Sequence, residues 1–136
     1  MAEQHMHAWT HCGPCEDCVE EDWQLVQAGE LRWEGYQHCP RNEVYACDRG
    51  TGVPPPEVRE RILAREGSVH LAVGGPDGVP IALLRRVYGL SIAEAVAART
   101  EGYRATPVEA RYLMAVAAAT AVATAADGGS AGPGRS

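Results

Sequence analysis

The 136-residue chain contains no lysine and no phenylalanine. All of its positive charge is therefore arginine, and its richness in alanine, arginine, glycine and valine is the usage expected of a GC-rich bacterial genome. No cysteine follows Cys47, so thiol or metal chemistry is confined to the first third. The apolar run Tyr112 to Ala126 falls short of the roughly 20 residues that span a bilayer and is mostly Ala and Thr, which argues against membrane insertion. The opening Met1-Ala2-Glu3-Gln4-His5 lacks the basic start and apolar core of a signal peptide. A cytoplasmic location is expected, where thiols stay reduced and clustered cysteines bind metal or do redox work. Gly-rich phosphate loops, nucleophile elbows and convincingly spaced carboxylate pairs are also missing, so nothing announces an enzyme.

The formal charge of −6 is unevenly distributed. Residues 1–53 carry ten acids against three arginines, and residues 54–136 carry eight against nine. An acidic first module repels phosphate backbones, so nucleic-acid binding through it is disfavoured.

What is present is His11-Cys12-Gly13-Pro14-Cys15-Glu16-Asp17-Cys18, answered by His38-Cys39 and Cys47. A structural zinc ion takes four ligands from thiolate and imidazole, commonly as two pairs that each close a tight turn. Cys12 and Cys15 have the spacing of one such pair, and Cys15 with Cys18 has it equally. The second half is less regular, because Cys39-Pro40-Arg41-Asn42 has asparagine where a partner cysteine would stand. The ligand set expected is Cys12, Cys15, Cys39 and Cys47, with Cys18 and His38 as substitutes. Four thiolates close the tetrahedron and leave no position for a reactive water, so the site is expected to build structure rather than catalyse.

The segment between the cysteine clusters alternates aromatic and apolar with polar residues. Trp23, Leu25, Leu31, Trp33 and Tyr36 predict two short strands around Ala28-Gly29, a β-hairpin with a knuckle at each end. In this the segment 11–48 resembles a zinc ribbon, which implies bound Zn²⁺. The tetrapeptide Cys12-Gly13-Pro14-Cys15 also resembles the thioredoxin active site, where the first thiol attacks disulfides. The preceding Gln4-His5-Met6-His7-Ala8 is not the buried strand that such a site requires, and the later cysteines go unexplained. The His5-Met6-His7 tract has donors for copper or nickel, although a frayed terminus over residues 1–10 accounts for it more simply.

Pro54-Pro55-Pro56 within residues 49–56 predicts a stiff linker between modules. Beyond it, Glu57 to Arg65 predicts a helix closed by Gly67, Val69 to Val73 a strand, and Gly74-Gly75-Pro76-Asp77-Gly78 a turn. Ile81 to Tyr88 predicts a helix closed by Gly89. Ser91-Ile92-Ala93-Glu94 is a capping box opening a helix to about Thr100, and Thr106-Pro107-Val108-Glu109 opens the longest helix, to about Ala125. Residues 127–136, rich in Gly, Ser and Pro, are expected to be a disordered tail. His70 reads as a packing histidine and Arg85-Arg86 as solvated.

Residues Ile81 to Ala95 resemble the helix, Gly-Leu-x-Leu and x-Glu-Ala pattern of the C-terminal domain of the bacterial ribosomal stalk protein L7/L12. That resemblance implies a helix pair packed on a short sheet, and a lysine-rich face that docks translational GTPases. The positions matching those lysines are Ala82, Ala93 and Val96, with Arg85 retained, so the docking role is not carried over.

The expectation is thus an α+β protein: a small zinc-stapled β-hairpin module at 11–48, a linker at 49–56, and a compact α/β module of three or four helices with a short sheet at 57–126. Its expected role is that of a noncatalytic zinc-binding adaptor or regulator working through contacts with a protein partner. The alternatives are a nucleic-acid-binding regulator and a thiol oxidoreductase or metal-handling protein.

Overall fold

A computed structural model describes residues 17–41 and 43–134, with the side chains of all but 44 and 124–134. The fold is α+β, and contacts divide it into two units. One comprises the residues up to Ser68 together with Thr106–Val108, and the other Val69–Ala105 and the chain from Glu109 onward.

The first unit is a three-stranded antiparallel meander, β1 (Val19–Gln27), β2 (Glu30–Cys39) and β3 (Val44–Thr51), followed by helix α1 (Pro56–Glu66). The alternation around Trp23 and Trp33 forms the β1–β2 hairpin, and Gln27 pairs with Glu30 across a two-residue turn. Ala28 and Gly29 both have positive φ, 54° and 78°, the conformation whose twist matches that of paired strands.

One face of this sheet is buried, with Leu31, Trp33, Gln37 and Cys39 on β2 and Asp22 and Gln24 on β1. Trp33 packs with Val58 and Ile62 of α1 in a small apolar cluster. Burying side chains of this size contributes about 1.5–3 kcal/mol each. Two glycines make the packing possible. A Cβ at Gly50 would lie 2.6 Å from the Trp33 indole nitrogen, and one at Gly35 would lie 2.9 Å from Asp22 Oδ1.

Polar groups also fasten α1 to β1. Arg61 Nε donates to Asp22 Oδ2 at 2.6 Å and lies 3.3 Å from Glu20 Oε1, while Arg65 donates to the Asp22 carbonyl. Burial disfavours the charged Arg61 guanidinium. The hydrogen bond and charge of Asp22, with Glu20 and Glu57, outweigh that penalty and raise its pKa above the usual arginine value. The Thr106 hydroxyl donates to Gln24 Oε1 at 2.5 Å within the same unit.

In the second unit β4 (Val69–Leu71) pairs antiparallel with β5 (Tyr103–Ala105), and α2 (Ile81–Tyr88), α3 (Ile92–Glu101) and, from Glu109 onward, α4 (Pro107–Gly134) complete it. Leu71, Val79, Leu84, Ala98 and Leu113 form its core. The capping box is present: the Ser91 side chain accepts from the Glu94 N–H at 3.1 Å, and Glu94 Oε1 accepts from the Ser91 N–H at 2.8 Å. Gly89 ends α2 in the left-handed region at φ 67°. The Tyr88 hydroxyl donates to the buried Glu109 carboxylate at 2.7 Å.

Several boundaries differ from those the sequence suggests. Residues 44–51 form a third strand where a knuckle and the start of a linker are expected. Residues 49–56 belong to the first unit, where the Gly52 N–H donates to the Leu31 carbonyl at 2.7 Å. The division falls after Ser68 rather than at the prolines, because α1 packs on the sheet. The backbone of α4 continues beyond Ala125 to Gly134, across most of the expected tail. Residues 1–10 and most of the first cysteine cluster lie outside the described residues.

Candidate metal centre and the exposed sheet face

In paired antiparallel strands, directly opposed residues point to the same face and successive residues alternate. That parity decides which cysteines can meet. Cys39 is fully buried at the end of β2, on the face of Trp33 and Gln37. Cys47 pairs with Tyr36 near the middle of β3 and is exposed on the opposite face. Sulfurs on one zinc lie about 4 Å apart, since each Zn–S bond is about 2.3 Å. Cys39 and Cys47 thus stand on opposite faces of the sheet, which disfavours their sharing one ion. His38 alternates with Cys39 and lies on the Cys47 face, its ring 5.9 Å from Tyr45 and 6.3 Å from Tyr36.

Cys18 is placed differently. Val19, the first residue of β1, pairs with His38, the neighbour of Cys39, so Cys18 adjoins the end of β2 that carries Cys39. It is partly buried. Next to this pair, Arg41 Nη2 lies 2.8 Å from Asp17 Oδ2, tying the residue before Cys18 to the residues after Cys39. The sequence held a signal for this arrangement. Cys18 is ten residues before Ala28 and Cys39 ten after Gly29, so a two-residue turn at Ala28-Gly29 brings them to the same end of the hairpin.

The described residues place Cys18 and Cys39 at the same end of the sheet, and no group of three or more His, Cys, Asp or Glu among them could hold a metal ion. Cys12 and Cys15, with His5, His7 and His11, lie outside the described residues. Chain connectivity alone keeps the Cα of Cys15 within about 11 Å of that of Cys18.

The opposite face of the sheet is uncovered by α1 and strongly aromatic. Trp23 (38 % exposed), Tyr36 and Tyr45 (63 % exposed) line an open concavity of about 920 Å³, together with Glu21, Glu34 and Arg49. The Tyr36 and Tyr45 rings meet edge to face at 5.1 Å. A hydrogen bond to Cys47 raises the Tyr45 pKa above the usual tyrosine value, with desolvation and the charges of Cys47 and Tyr36 adding to it. The neutral phenol is the favoured form, so this contribution is complete below the ordinary tyrosine range and is lost as pH rises through the elevated value. Absorbance at the phenolate band, taken as the difference between the protein and Tyr45→Phe, should show late ionisation of Tyr45. Cys47→Ala should move it back down, and an unchanged titration would show that the bond is not formed.

In the second unit, His70 is exposed on β4, opposite Arg104 on β5, and packs against Gly102. Arg85 Nε donates to the Leu90 carbonyl at 3.2 Å, closing the α2–α3 turn, and Arg86 is exposed. Among the described residues no helix is long and apolar enough to cross a membrane. No protein-family model matches the chain, and neither a curated protein nor a solved structure resembles it closely enough to count as a match.

Proposed function

We propose that the chain is a noncatalytic zinc-stapled adaptor of the cytoplasm, in which Cys12, Cys15, Cys18 and Cys39 hold one zinc ion at the open end of the sheet. The observation that carries this reading is that Cys18 stands one residue before the Val19–His38 pair, at the end of the hairpin where Cys39 is buried, while Cys47 pairs with Tyr36 away from it. The spacing of Cys12 and Cys15 supplies the second pair, so the set differs from the sequence expectation by Cys18 in place of Cys47. Zinc bound there joins the first residues of the unit to the end of β2. Four thiolates leave no open coordination position, which supports a structural role rather than a hydrolytic or redox one.

The uncovered aromatic face is the contact surface in this reading. A protein partner is favoured over nucleic acid, because the first 53 residues carry ten acids against three arginines and repel phosphate. The second unit serves as a helical scaffold. Its order of strand, two helices, strand and helix supports the packing that the L7/L12 resemblance implies, without its lysine-dependent docking.

Metal analysis of the full chain purified without added metal tests the reading. One zinc per chain is expected. A metal-free preparation whose first unit keeps its native tryptophan fluorescence would overturn it.

A further inference from the structure

The exposed face of the first sheet carries an organised grid of side chains. Strand register places Glu21 beside Tyr36, and Trp23 beside Glu34. On β3, Cys47 flanks Tyr36 and Arg49 flanks Glu34. The result is a carboxylate, Glu21, with aromatic groups along its own strand and across from it, inside an open concavity that extends to Tyr45. Glu34 has a cation at its side in Arg49. Glu21 has Tyr36 opposite it.

Aromatic faces are electron-rich and attract organic cations, most strongly where a carboxylate completes the charge balance. An anion entering this concavity meets Glu21 and Glu34, and an apolar group strands both carboxylates out of water. A guanidinium satisfies each element of the site. It is planar and stacks on Trp or Tyr, its forked donors match a carboxylate, and it is more weakly hydrated than an ammonium. The surrounding unit adds a long-range bias of the same sign, with its excess of acids over arginines.

We infer that this face is a docking site for an arginine-bearing segment of a partner protein, with the guanidinium held between Trp23 and Tyr36 and paired to Glu21. The inference rests on the reading of the first unit as a contact module and gives that module a ligand chemistry. It assigns no part to the proposed zinc ligands.

The test uses the full chain, with its zinc content measured on the same preparation, and a labelled, end-blocked peptide of alternating arginine and glycine followed by fluorescence anisotropy at physiological ionic strength. Saturable binding is expected. Trp23→Ala and Glu21→Gln are each expected to weaken it about tenfold while leaving the circular dichroism unchanged. Replacing the peptide's arginines with lysine should weaken binding, and replacing them with glutamate should abolish it. The inference fails if the arginine peptide does not bind, if it binds Trp23→Ala and Glu21→Gln as tightly as the parent, or if the glutamate peptide binds equally well. Failure to bind by a zinc-loaded protein overturns this inference and spares the zinc site. Binding by a metal-free protein that depends on Trp23 and Glu21 supports the docking site and overturns the zinc site.

Discussion

On the proposed zinc site, an excess of chelator is expected to unfold the first unit and leave the second intact. Structural zinc contributes about 10–16 kcal/mol of apparent binding free energy in small modules. Whole domains are stable by only about 5–15 kcal/mol. The apolar cluster of the first unit is small, with Trp33, Val58 and Ile62 at its centre, so it has little to offset the loss. The core around Leu84 and Leu113 is a different cluster and contains no cysteine. All three tryptophans, Trp9, Trp23 and Trp33, precede residue 34, which makes tryptophan fluorescence a private reporter of the first unit. Fluorescence should shift to that of solvated indole while most of the helical circular dichroism, from α2 to α4, persists. A native fluorescence spectrum in excess chelator, with zinc shown to be gone, contradicts the expectation.

The second large effect belongs to Arg61. Its partner Asp22 is only 2 % exposed at the side chain, whereas Arg61 is 30 % exposed. Removing one member of a buried ion pair strands the other charge, at a cost of about 3–5 kcal/mol. Water reaching the partly exposed Arg61 end places the expected loss for Arg61→Ala near the bottom of that range, about 3 kcal/mol. Urea denaturation followed by tryptophan fluorescence measures it. The double variant Arg61→Ala with Asp22→Asn should recover part of the loss, since a buried amide costs less than a buried carboxylate. A loss under about 0.5 kcal/mol, the size typical of surface substitutions, would mean that the pair is a solvated surface contact.

Helix ends were legible because they answer to local backbone demands. Ser91 and Glu94 form the reciprocal cap their spacing predicts, Gly89 takes the left-handed conformation that closes α2, and Pro56 and Pro107 stand at the first position of their helices. The β1–β2 hairpin was legible for the same kind of reason, since the tryptophans alternate with polar residues on both sides of Ala28-Gly29. Strand β3 was not. Its buried-face positions Ala46, Asp48 and Gly50 carry no apolar alternation, and Gly50 is small because the Trp33 indole lies over it. Losing β3 also left the choice among the cysteines open. With residues 44–51 read as loop, Cys47 is free to join any pair, whereas in a strand its side is decided by pairing with Tyr36. The buried Asp22 is a tertiary effect of the same kind, because Arg61 lies 39 positions along the chain.

The partition of cysteines between the two faces of the first sheet is the central claim, and native mass spectrometry of Cys18→Ser beside Cys47→Ser tests it most directly. Both positions are at least partly exposed, so neither serine is forced into a dry core. The account predicts that Cys47→Ser retains one zinc per chain and Cys18→Ser loses it. Retention by Cys18→Ser with loss by Cys47→Ser would contradict it.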